Sequence, residues 1–145
     1  MNESQRIAVS LGWLAGWIGF GVLALYFHNS VLPYLYLALA AGTIVSHLYF
    51  ACTRCFYYGK RCYALGGLAS AAIFKQRKEG PLDPDDAIVA TLWVLTTLFP
   101  IPFLIYYQDW VLLLIFILLF TGWYAARKSN VCRYCKNEWC PAKPR

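Results

Sequence analysis

A chain of 145 residues that is 60% hydrophobic and only 14% charged, with mean hydropathy +0.49, carries more apolar surface than one water-soluble domain of this size can bury. That composition excludes a soluble globular protein and points to lipid. The net charge of +6 does not indicate a nucleic-acid partner, because the basic residues flank apolar runs and do not line one continuous polar face.

Four runs, 7–27, 31–51, 87–107 and 110–126, contain no Lys, Arg, Asp or Glu. Each approaches the roughly 20 residues that a helix needs to cross hydrocarbon. Every amide in lipid must be satisfied internally, and the alternation expected of barrel strands is absent, so the runs predict helices. The first is read as a retained span, since it exceeds a signal-peptide core and leads to no small-x-small cleavage site before a soluble domain. Ala8, Gly12, Gly16 and Gly19 share one face of it. Their expected use is close packing inside the bundle, with a homo-oligomer through Gly12 and Gly16 as the alternative. The second run begins beside Pro33, which a first helical turn tolerates, and is expected to turn Ala38, Ala41 and Gly42 toward a neighbouring helix.

Between the second and third runs, residues 64–74 are apolar but too short to cross, and they lead into Lys75, Arg77 and Lys78. This pattern predicts a short interfacial helix whose cations reach the headgroups, although Gly66-Gly67 disfavours helix. Gly80-Pro81 breaks the chain. Asp83 then suits an N-cap, Pro84 a first helical position, and Asp85 and Asp86 the positive end of the helix dipole. Pro100 and Pro102 should kink the third span near its outer end. Trp110, Trp123, Tyr106, Tyr107 and Tyr124 fall near predicted interfaces as aromatic anchors.

All 13 Lys and Arg lie in the N-terminal segment or in segments 52–86 and 127–145, with none in the two opposite turns. The positive-inside rule therefore puts both termini and both segments in the cytoplasm, beneath an inner or cell membrane. The expected fold is all-α: a single membrane domain, 1–145, forming a four-span transmembrane bundle with a cytoplasmic cysteine-rich, metal-binding cap.

The six cysteines make two triplets, Cys52, Cys55, Cys62 after the second run and Cys132, Cys135, Cys140 after the fourth. A Cys-x2-Cys pair lets two thiolates bend around one ion, and a third cysteine fills another position. Zinc takes four such donors in structural sites, and iron–sulfur clusters are held by thiolates. The reducing side of the membrane disfavours disulfides. The paired knuckles resemble the ligand supply of a zinc ribbon, while Cys140-Pro141 with its nearby Cys-x2-Cys resembles the end of a bacterial ferredoxin ligand run. Both resemblances imply a bound metal, either an iron–sulfur cluster or Zn.

Gly59 allows the loop containing Tyr57 and Tyr58 to turn back, and Arg54, Lys60, Arg61, Arg133 and Lys136 are placed to offset thiolate charge. His47 lies deep in the second run, about one and a half turns before Cys52. It is a candidate accessory ligand, a donor of a proton or hydrogen bond near the metal, or a neutral histidine bonded across the bundle. His28 belongs to the opposite surface, about 30 Å away.

These features lead first to a non-catalytic membrane accessory or subunit protein with an iron–sulfur relay between a soluble redox protein and a membrane complex. A zinc-stapled structural or assembly factor is the alternative. A soft-metal carrier would resemble small four-span mercury-uptake proteins in size and thiol use, but those also place thiols within a span. No catalytic residue is assigned, since triad, phosphate-loop and His-rich metal patterns are absent; thiol oxidoreduction is the enzymatic alternative.

Overall fold

A computed structural model of the chain describes residues 3–62, 65–78 and 84–130, and no strand occurs among them. The helices are α1 (Glu3–Tyr26), α2 (Leu32–Phe50), α3 (Gly66–Ile73), α4 (Pro84–Leu98), α5 (Pro100–Tyr106) and α6 (Trp110–Asn130). Four stretches are long and apolar enough to cross a membrane: Ser4–Tyr26, Leu32–Arg54, Ala87–Tyr106 and Trp110–Ser129. The expected all-α, four-span membrane architecture is therefore present.

The third span joins α4 to α5. The helix is interrupted at Phe99, although its backbone stays right-handed at φ −54° and ψ −47°. Pro100 and Pro102 lack the N–H groups that would continue the ladder there. Pro84 opens α4 as expected, and Asp83, the predicted N-cap, lies outside the described residues.

α1 packs against both α2 and α6, α2 against α4, and α5 against α1 and α6. Trp17, Ala24, Leu104 and Phe116 form the centre of the core. Large apolar side chains cover the outside, with Leu23 50% exposed and Val111 71% exposed. In water that surface would drive aggregation, whereas hydrocarbon solvates it. Thr43 and Thr96, both buried, join α2 to α4 by a hydroxyl pair at 2.7 Å. Carbonyls one turn earlier lie within reach of each hydroxyl, Leu39 at 2.9 Å and Leu92 at 2.8 Å, so the hydroxyl that accepts within the pair can donate its own hydrogen to a carbonyl and neither is stranded in the core.

Three expectations fail here. A Cβ built on Gly12, Gly16 or Gly19 would meet nothing within 4 Å, so this glycine face is not packed against the described bundle. The close approaches belong to Gly21, under the Tyr36 ring, and Gly122, under the Trp13 ring. Ala38, Ala41 and Gly42 are exposed, and α2 instead buries Pro33, Tyr36, Ala40 and Thr43. Trp123, expected as an interface anchor, is buried because its indole stacks on other tryptophans inside the bundle.

Candidate metal centre

Chain leaves α2 through a 3-10 turn at Cys52–Arg54 and folds back on the helix end. Thr53 is fully buried; its hydroxyl donates to the Tyr49 carbonyl, and its own carbonyl accepts the Arg77 N–H at 3.1 Å. The Arg77 guanidinium lies over the rings of Tyr49 and Phe50, at 5.3 and 5.8 Å. At the far end of α3, the Tyr58 hydroxyl donates to the Phe74 carbonyl at 2.6 Å. These contacts make residues 52–62 and 65–78 one unit seated on the end of α2.

Gly66-Gly67 explains how the unit closes. Gly67 donates its N–H to the Cys62 sulfur at 3.3 Å, and its carbonyl accepts the Gly59 N–H at 3.0 Å. A Cβ on Gly67 would stand 2.0 Å from the Tyr57 carbonyl oxygen, and one on Gly66 would stand 2.8 Å from the Cys52 sulfur. Neither space accepts a side chain. The sequence reads this pair as a weakness in a helix, but α3 starts there because only glycine allows the loop backbone and a thiol to come so close. Leu65, at φ 56°, and Gly59, at φ 69°, provide the two reversals that bring the strands of the loop together.

The sulfurs of Cys52 and Cys62 thus approach the same pair of glycines. Cys52, Cys55 and Cys62 are each partly buried, and none forms a disulfide among the described residues. No group of three or more His, Cys, Asp or Glu able to hold a metal occurs among the described residues. Cys132, Cys135 and Cys140, together with Arg133 and Lys136, lie outside the described residues. Thiols are the donor type that a soft or borderline cation takes; here one thiol lies beside Gly66, the next residue's N–H supports the sulfur of another, and no third donor joins them among the described residues. Lys60 lies over the Phe56 ring at 4.6 Å, within the same loop.

Among the described residues, His47 is bonded across the bundle. Its Nδ1 accepts the Trp93 indole N–H at 3.4 Å, and the two rings meet edge to face with centroids 6.0 Å apart. Trp93 belongs to a stack with Trp17, at 6.2 Å, and Trp123, at 5.3 Å; Trp17 and Trp123 are themselves 5.3 Å apart. The Arg127 guanidinium caps Trp123 at 5.4 Å. All four spans contribute to this node, through Trp17, His47, Trp93 and Trp123. The sequence reading places Trp123 at the lipid interface and assigns no role to Trp17 or Trp93; two mid-span indoles, on α1 and α4, are the signal that could have marked this node.

His28 lies at the other end of α2, as expected, with its Nε2 2.5 Å from a carboxylate oxygen of Asp109. Comparison with protein-family models, with curated proteins and with solved structures finds no match to this chain.

Proposed function

We propose that the protein is a small integral membrane subunit or accessory protein whose cytoplasmic face carries a cysteine-ligated metal centre, with Cys52, Cys55, Cys62, Cys132, Cys135 and Cys140 as the ligand supply. In this reading the centre is an iron–sulfur relay between a soluble redox protein and a membrane complex. The supporting observation is the approach of the Cys52 and Cys62 sulfurs to Gly66-Gly67, with the Gly67 N–H bonded to sulfur. Backbone N–H bonds to cysteine sulfur stabilise thiolate ligands and tune cluster potentials. When bound, the cluster would supply one-electron transfer; the chain holds thiolates, shields them and sets their charge environment.

The basic segments face the cytoplasm in this reading, and α3 lies at the membrane surface. Its exposed Leu68 and Ile73 would contact lipid while exposed Lys75 and Lys78 reach headgroups. The uncovered face at Gly12 and Gly16 would be open to a second copy of the chain.

Anaerobic purification followed by iron, sulfide and zinc analysis, absorption and EPR tests the relay. The expected result is a brown chromophore that bleaches on reduction and is lost in Cys62→Ser. A colourless protein holding stoichiometric zinc would reject the relay in favour of the second reading, a zinc staple. The observation favouring a staple is the pinning of the loop to α2 through Thr53 and Arg77. Wild-type protein with neither metal would reject both.

A further inference from the structure

His47 precedes Cys52 by five residues on the same helical path, which by spacing alone makes it a candidate ligand. We infer instead that His47 is a positioning residue: an Nε2-protonated imidazole that anchors the end of α2 through Trp93 and contributes no bond to the metal. This inference deepens the proposed metal centre and rests on it.

The argument is one of lone pairs. A neutral imidazole has one nitrogen that donates and one that accepts, whereas an indole N–H can only donate. Trp93 Nε1 is directed at His47 Nδ1, so Nδ1 holds the lone pair and Nε2 holds the proton. Coordination through Nε2 would require the proton to move to Nδ1, where it would face the indole N–H head on. Coordination through Nδ1 would require displacing the indole. Trp93 is not free to yield, because its ring is stacked within 19° of parallel on both Trp17 and Trp123. Trp17 is fully buried, Trp123 is covered by Arg127, and Arg127 lies within electrostatic reach of His47 itself.

What His47 holds is the helix end. Its carbonyl accepts the Ala51 N–H at 3.0 Å, the last bond before the 3-10 turn that begins at Cys52. The Trp93 bond ties this part of α2 to α4, and the indole stack ties α4 to α1 and α6. The Cys52 sulfur therefore leaves a helix end whose place is set by all four spans.

The chain has two histidines, which makes ring-nitrogen NMR direct. Protein labelled with 15N-histidine would be studied in bicelles, and His28→Gln would assign the two rings. In metal-free protein the expected His47 spectrum shows protonated Nε2 and an unprotonated, hydrogen-bonded Nδ1, with the Nδ1 signature lost in Trp93→Phe. Saturating zinc should leave the His47 Nε2 proton in place. A proton on Nδ1, or an Nε2 resonance moved to a metal-bound position by zinc, would overturn the inference.

A second measurement separates positioning from ligation. In His47→Asn the carboxamide oxygen occupies the δ position and still accepts the Trp93 N–H, so zinc stoichiometry and affinity should be retained, while His47→Leu should weaken zinc affinity about tenfold, as losses of supporting groups do. Equal loss of one ligand in both variants would make His47 a ligand after all. If wild-type protein takes up neither zinc nor iron, the metal-centre reading fails on that result, and the metal-free spectrum still decides the tautomer.

Discussion

The two histidines flank opposite ends of the second span, His28 in the α1–α2 turn and His47 in the last turn of α2, in opposite chemical company. His28 pairs with Asp109 and lies flat on the Tyr107 ring, with centroids 4.3 Å apart and planes 5° from parallel. That junction ties the α1–α2 turn to the α5–α6 turn at the surface, where the side chains are 15% and 38% exposed. His47 accepts a hydrogen bond from an indole inside an aromatic stack. One end of the bundle is thus closed by a histidine–carboxylate contact and the other by packing. The same residue type takes its chemistry from its partner: a carboxylate calls for an imidazole N–H, and an indole calls for its lone pair.

The contrast predicts unequal costs when each end is cut. Trp17 is fully buried, contacts both Trp93 and Trp123, and adds rings of Phe116 and Phe120 at 6.1 and 5.3 Å. Trp17→Ala should destabilise the bundle by about 3–5 kcal/mol, the usual cost of truncating a large buried aromatic. His28→Ala should cost no more than about 1 kcal/mol, the upper range for exposed pairs. Unfolding in bicelles by titration with SDS, followed by circular dichroism, would compare them. Equal losses would break the distinction between the two ends.

Glycine sharpens it next. Leucine at Gly122 would drive a side chain into the Trp13 ring, whose nearest atom lies 2.6 Å from the Cβ position. Gly122→Leu should cost about 1–3 kcal/mol as overpacking, in the same unfolding assay. Gly16→Leu meets open space within the monomer and should leave the unfolding midpoint unchanged. A loss at Gly16 that disappears when the protein is diluted in detergent would show that a second copy uses that face.

These glycines also show where the sequence was legible. Span number and approximate limits could be read from charge-free runs because lipid allows few other solutions. Which glycines are packed could not be read: Gly12 and Gly16 have the familiar spacing, yet Gly21 and Gly122 meet the rings of Tyr36 and Trp13, on other helices. Trp123 was misplaced for a related reason, since an indole near a span end suits either lipid or the core until its neighbours are known. At the cysteine loop, thiol spacing marked the candidate residues, but the role of Gly66-Gly67 depended on a long-range approach that local helix propensity does not encode.

The Thr43–Thr96 pair, located about one helical turn from His47 and Trp93, tests whether polar bonds or packing dominate beside the node. Thr43→Val keeps the shape and removes the hydroxyl. Interhelical hydrogen bonds in membrane proteins average about 0.6 kcal/mol and reach about 1.7. A double-mutant cycle with Thr96→Val should give coupling in that range, well below the Trp17→Ala loss. A coupling of several kcal/mol would mean that hydroxyl bonding outweighs the His47–Trp93 contact in holding α2 to α4.

The smallest effect discriminates most finely. Asp109→Asn removes the carboxylate charge facing His28 but keeps a side-chain oxygen beside the imidazole. Only the Coulomb part of the contact is lost, so stability should fall by about 0.2–1 kcal/mol at low ionic strength, the range for exposed ion pairs. At 1 M salt the screening length is about 3 Å, and the difference between Asp109→Asn and wild type should vanish. Salt should not reduce the Trp17→Ala loss, because no charge pair is removed there. Measured across the same salt series, a salt-independent Asp109→Asn loss would mean that the carboxylate acts at this turn through shape and hydrogen bonding; the two ends of the bundle would then be closed by forces of the same kind.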